Sequence, residues 1–196
     1  MTVKEKKRGR PKGKVTPLSA KAILEMAKLM MREEGKIPSI RKLATKLNID
    51  AMAIYHYFDN KSALLEAITT SLIEDIYEPT IFDKKSCEKE ASDNWKQELF
   101  KLSQSYLTLL DNYPGLLETL LSMNSTSPAD VFSERFRIVV QPLKLDESSI
   151  INALSLLADY LHGYALALNC QSSDSALNID NISGPLKLYC LALENC

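Results

Sequence analysis

Residues 39–61, SIRKLATKLNIDAMAIYHYFDNK, restrict the possible folds more than any other stretch of the chain. Ile40, Leu43, Ala44 and Leu47 recur at three- and four-residue spacing, which is one apolar face of a helix. Asn48 interrupts that face where a left-handed turn residue is wanted. Asp50 stands where it can cap a second helix, with Ile49 and Ile54 as a hydrophobic staple across the cap. That second helix, AMAIYHYF, is barely two turns long and too short to persist alone in water. Packing must hold it, and its outward residues are then free to touch a partner. Arg41, Lys42 and Lys46 beside it make nucleic acid the partner to expect.

Charge supports that expectation. The formal net charge of −1 conceals an asymmetry, because residues 1–61 hold 15 Lys and Arg against 6 Asp and Glu, leaving 9 against 19 for the remainder. A basic front third on an acidic body directs the first at a polyanion and turns the second away from it. Much of that excess lies in residues 1–14, MTVKEKKRGRPKGK, a basic arm expected to be disordered by itself. Its Arg8-Gly9-Arg10-Pro11 core is similar to an AT-hook. Gly lets the backbone lie against a minor-groove floor, Pro keeps the preceding residue extended, and Arg8 and Arg10 can enter a narrow, negative groove. A plain basic tail that touches only phosphates is the competing reading.

The two-helix unit resembles the DNA-binding domain of the tetracycline-repressor (TetR) family of bacterial regulators. The resemblance runs from Ser19 to about Leu72: a first helix closing on Gly35, then SIRKLATKLNI, then IYHYFDNKSALL with Tyr55, Tyr57, Phe58 and Lys61. The chain departs from the family at Asn48, where Gly is usual; Asn tolerates positive φ, so the turn is expected to survive. The resemblance implies a three-helix head over 15–60 whose second short helix reads double-stranded DNA. Ala51, Met52 and Ala53 then face the bases, where they can meet a thymine methyl but cannot hydrogen-bond. Ser39, Arg41, Lys42, Tyr55, Tyr57 and Lys61 are the remaining expected contacts, with the tyrosine hydroxyls and Lys61 directed at phosphates. His56 is open between base, phosphate and solvent.

For residues 61–196 the resemblance implies a regulatory, ligand-binding and dimerisation unit. Its first helix, from about residue 60 to 77, ends before Pro79, and a loop over 80–91 follows. Trp95, Leu99, Leu102, Tyr106 and Leu109 mark the next helical stripe, to 112. Short helices are expected over 115–123 and 129–141, a long one from Asp146 to about 170, and a last one from Ser183. Trp95-Lys96, Tyr113-Pro114-Gly115 and Leu161-His162-Gly163-Tyr164 resemble the C-terminal domain of the tetracycline-repressor subgroup over about 93–168. The long helix has apolar residues on more than one side, so more than one side must be covered. The resemblance implies that it and the last helix meet their symmetry mates in a four-helix bundle, with Gly163 allowing close approach.

The expected fold is therefore all-α with about nine helices: the N-terminal helix-turn-helix head and a C-terminal bundle over 61–196. The expected function is that of a homodimeric, sequence-specific transcriptional regulator, a repressor released from its operator by a small-molecule effector. Large or polar groups on otherwise apolar helices, Trp95, Tyr106, Asn124, Tyr160 and His162, are the expected effector contacts. An architectural protein of A·T-rich DNA, independent of any ligand, is the alternative. No nucleophile–base pair, metal-ligand spacing or Gly-rich phosphate loop suggests an enzyme, a metal or a cofactor. Cys87, Cys170, Cys190 and Cys196 form no C-x-x-C pair and read as free thiols of a cytoplasmic protein. The basic arm lacks the apolar segment of a secretion signal, and no apolar run reaches the roughly 18 residues that span a membrane.

Overall fold

A computed structural model of the chain describes residues 18–80, 88–170 and 177–196. Arg8, Arg10 and Cys87 lie outside these residues. The described chain is all α-helical, with nine α-helices: α1 (Ala20–Glu34), α2 (Ile40–Leu47), α3 (Ala51–Tyr55), α4 (Lys61–Glu74), α5 (Glu88–Asn112), α6 (Leu116–Ser122), α7 (Ser127–Val140), α8 (Glu147–Asn169) and α9 (Ser183–Leu193).

Side-chain caps start five of them. Ser19, Ser39, Asp50, Asn60 and Asp146 each accept a backbone N–H from the first turn, satisfying one of the donors a helix start leaves orphaned. Left-handed residues stop two more turns: Gly35 at φ 66° ends α1, and Asn48 at φ 54°, ψ 46° ends α2. Asn thus does the work of the usual Gly, because its short side chain tolerates that backbone well.

Three boundaries differ from the sequence reading. α4 stops at Glu74, several residues short of Tyr77. α5 begins at Glu88, inside the stretch expected to be loop. Two 3₁₀ turns, Gln141–Leu143 and Ile179–Ile182, lead into α8 and α9. The latter is closed by a reciprocal capping box between Asn178 and Asn181, a signal short enough to be overlooked beside the stronger Ser-Gly-Pro.

The core is continuous from the head into the body. Ile23, Ala27, Met30 and Met31 of α1 pack with Leu43 and Ala44 of α2 and with Ile54 and Phe58. Leu64, Ile68, Leu72 and Ile73 of α4 join this group to Trp95, Leu99, Leu102, Tyr106 and Leu109 of α5, all buried. α7 lies against both α4 and α5, and α8 and α9 also pack on α5.

Polar clamps hold the junctions. Lys28 of α1, only 6% exposed, donates from Nζ to the Ser71 carbonyl at 3.1 Å and to Asp75 Oδ2 at 2.8 Å. Arg135 of α7 donates to the carbonyls of Ile73, Glu74 and Ile76, at and just past the C-terminal end of α4. Near the middle of α4, Ser127 Oγ donates to Glu66 Oε1 at 2.5 Å. Hydrogen bonds from Ser127, and secondarily Ser125, hold the Glu66 carboxyl below its ordinary value. Buried Glu98 pins the chain after α4, accepting from Tyr77 Oη at 2.7 Å, Thr80 N at 3.1 Å and Lys101 Nζ at 3.0 Å.

Candidate functional site

The outer side of the head is built by α2 and α3. Burying Ile54 and Phe58 turns Met52 outward, where it is 66% exposed, with Ala51 and Ala53 half-buried beside it. Ser39, Arg41, Tyr55, His56 and Lys61 are all exposed. Ser39 Oγ accepts the Lys42 amide as a cap, which leaves its hydroxyl hydrogen for an acceptor outside the chain. Two expected contacts are already engaged within the protein. Lys42 Nζ pairs with Glu34 Oε2 of α1, which lowers the Glu34 pKa chiefly through that hydrogen bond. Tyr57 Oη donates to the Leu18 carbonyl at 2.7 Å. A phosphate only accepts, so a tyrosine whose single hydrogen is engaged has none to offer it. Without DNA, Tyr57, expected to hold a phosphate, ties the end of α3 to the start of α1.

A second site lies in the body. α4 contributes Ile73 to a cavity of about 290 Å³, α5 contributes Tyr106, and α6 contributes Leu120 and Leu121. Ser125 and then Pro128, Ala129 and Phe132 of α7 form another wall, and Leu154, Ser155, Ala158 and His162 of α8 close it. At its polar end Tyr106 Oη and His162 Nε2 are 2.9 Å apart, joined by one hydrogen bond. The Tyr106 ring tilts against Phe132 at 4.8 Å between centroids. Burial pushes the Tyr106 hydroxyl far above its ordinary value and pulls the His162 imidazole below its own, against a weaker opposing pull from Asp159. Both groups are held neutral for the same reason: an apolar wall solvates charge poorly.

Of the five residues expected around an effector, the structure brings Tyr106 and His162 together and separates the rest. Trp95 is 1% exposed in the core and does not line the cavity, since a large ring on a buried helix face is needed as filling. Asn124 opens on a neighbouring hollow beside Glu66 and Met123. Tyr160 turns to the other side of α8, against Tyr164 at 5.8 Å. Leu120, Phe132 and Ser155 line the cavity instead, and nothing in their local spacing distinguishes them from ordinary core residues. A larger hollow of about 740 Å³ between α5 and α9 touches neither α4 nor α7.

Two family models match the chain. Residues 23–68 match bacterial regulatory proteins of the tetR family, and residues 88–178 match the tetracyclin repressor-like C-terminal domain. The chain belongs to the TetR family. It is a DNA-binding transcriptional regulator of that family. A search of curated proteins finds no match. Solved structures are similar in fold. Apo ActR from Streptomyces coelicolor superposes with a TM-score of 0.74 at 14% identity, over 92% of this chain and 96% of that one. BioQ from Mycobacterium smegmatis superposes with 0.68 at 15% identity, over 91% and 98%. A TetR variant from Acinetobacter baumannii in complex with minocycline gives 0.62 at 20% identity, over 91% and 93%. The first matched region runs from α1 into α4, and the second begins at the first residue of α5. No helix among the described residues is long and apolar enough to cross a membrane.

Proposed function

We propose that this TetR-family protein is a homodimeric repressor that leaves its operator when a small molecule fills the cavity between α4 and α5 to α8. The observation that carries the reading is the double duty of α7. One face of α7 lines the cavity with Pro128, Ala129 and Phe132, and Arg135 of the same helix holds the C-terminal carbonyls of α4. Lys28 then ties that end of α4 to α1 of the head. A ligand that shifts α7 has a direct mechanical route to the head. The relatives support the two halves of this reading, since BioQ is known bound to its double-stranded DNA operator and ActR bound to actinorhodin.

In this reading Ser39, Arg41, Lys42, Ala51, Met52, Ala53, Tyr55, His56 and Lys61 form the DNA face of a head spanning 15–60. Tyr106 and His162 are the polar effector contacts of a body spanning 61–196. Arg8 and Arg10 of the arm enter an A·T-rich minor groove beside the operator. The second copy covers an outward stripe on α8, Leu156, Gly163 and Leu166, together with Leu188 and Leu191 of α9. These leucines are 47 to 70% exposed. An exposed apolar area of this kind on two adjacent helices marks an interface.

The test is to fill the cavity genetically. An operator is first obtained by selecting bound duplexes from a random pool. Ala158→Trp should then weaken operator affinity by about 5- to 150-fold, the usual range of allosteric coupling, with the dimer intact in sedimentation velocity. Unchanged affinity in a folded variant with a filled cavity would remove the link between cavity and head.

A further inference from the structure

The cavity's lining also specifies the chemistry of what it holds, an inference that rests on the reading of this cavity as the effector site. None of its twelve described lining residues carries a formal charge. An ion seated against this wall would lose part of its hydration without gaining a counter-charge from the lining, an unfavourable exchange. The volume is also limiting. A dry cavity of about 150 Å³ accepts one benzene ring, and this one measures about 290 Å³.

The polar groups narrow the class further. Ser155 Oγ donates its hydrogen to the Ile151 carbonyl at 3.0 Å, and the single hydrogen of Ser125 Oγ is taken up within the chain, by Ser127 Oγ at 3.3 Å or by the Glu66 carboxylate. The Tyr106–His162 pair shares a single hydrogen bond. If the tyrosine donates, the imidazole keeps an N–H and the phenol oxygen keeps a lone pair. If the imidazole donates, the phenol keeps its O–H and the other ring nitrogen keeps a lone pair. In either tautomer the pair retains one donor and one acceptor, which is the complement of a hydroxyl group. Phe132 beside Tyr106 supplies an aromatic wall for the rest of the molecule.

We propose that the cavity binds an uncharged, hydroxylated aromatic molecule of about two rings, its hydroxyl seated on the Tyr106–His162 pair. Calorimetric titration of the full-length protein near neutral pH with four probes of one shape tests this: 2-naphthol, naphthalene, 2-naphthoate and 2-naphthylmethylammonium. Binding of 2-naphthol is expected to be about tenfold or more tighter than that of either ion. Tyr106→Phe keeps the ring and removes the hydroxyl. It should weaken 2-naphthol by about three- to tenfold, the effect of one hydrogen bond, and leave naphthalene within about twofold.

Equal or tighter binding of an ion overturns the proposal, as does an equal loss of naphthol and naphthalene in Tyr106→Phe, or no binding by any probe. Adding 2-naphthol to the preformed operator complex separates this inference from the function it rests on. Naphthol bound in the expected order without release of DNA keeps the ligand class and removes induced release. Release of DNA by 2-naphthoate in preference to naphthol keeps induced release and removes the ligand class.

Discussion

Among single residues, the most informative contrast lies between Tyr57 and Lys61, four positions apart and both exposed. Tyr57 works inward, on the Leu18 carbonyl. Tyr57→Phe should therefore lower stability by about 0.5–1 kcal/mol in urea denaturation and leave the salt dependence of DNA binding unchanged. Lys61 is exposed and, in the proposed function, works outward. Lys61→Ala should weaken operator and non-operator DNA alike and reduce the slope of log affinity against log salt by about 1, read from anisotropy titrations at several salt concentrations. Ala53→Asp belongs with the second variant, because it sets a carboxylate against a DNA groove and should abolish binding. If its affinity is unchanged, α3 is not the reading helix.

Beside the apolar core, elements meet in this protein through close backbone approach and through buried charge. The turn from α5 to α6 presses on the end of α1. Gly115 sits at φ 81°, and a Cβ there would lie 2.8 Å from the Gly35 carbonyl oxygen, with Pro114 also against Gly35. Gly115→Ala is expected to cost about 1–3 kcal/mol of stability, from the left-handed backbone and the clash together, as measured by urea unfolding. Like Lys28, Glu98 on α5 is a buried charge. Burial alone would raise its pKa, but the hydrogen bond from Tyr77, those from Lys101 and Thr80 and the Lys101 charge outweigh it, so the folded value is lowered. A lowered carboxyl stabilises the fold above its unfolded pKa, about 4.3, and that stability is lost as pH falls through the folded value. Stability of the native protein should therefore decline below about pH 4.3 more steeply than that of Glu98→Gln. Parallel pH profiles from urea midpoints would show that the carboxylate does not supply the difference.

For the whole molecule the open question is what covers α8 and α9. Gly163 has no heavy atom within 4 Å of where its Cβ would stand. Gly163 is exposed, so the side chain of Gly163→Arg starts from open space on this surface and stands in the way of a neighbour. It should yield a folded monomer in sedimentation velocity. Operator affinity should fall with it, because one head cannot span two half-sites about one helical turn apart. A native protein that is itself monomeric at micromolar concentration removes the dimer before any mutation is made.

What could be read directly from the sequence was local. The caps at Ser19, Ser39, Asp50 and Asn60 and the left-handed stops at Gly35 and Asn48 depend on residues within a few positions of each other. The same is true of the apolar stripe from Trp95 to Leu109. Helix number, head geometry and family followed from such signals. The clamps and the cavity did not. Tyr57 reaches Leu18 across 39 positions, Lys28 reaches Asp75 across 47, Tyr106 meets His162 across 56 and Ser127 meets Glu66 across 61. A polar side chain on a helix has the same local pattern whether it faces water, a core partner or a cavity. Trp95, Tyr160 and His162 are equally conspicuous in the sequence, and only the packing of α5, α7 and α8 leaves space beside one of them. The direction in which neighbouring helices turn their side chains is a property of the assembled fold, and that decided where a ligand has room.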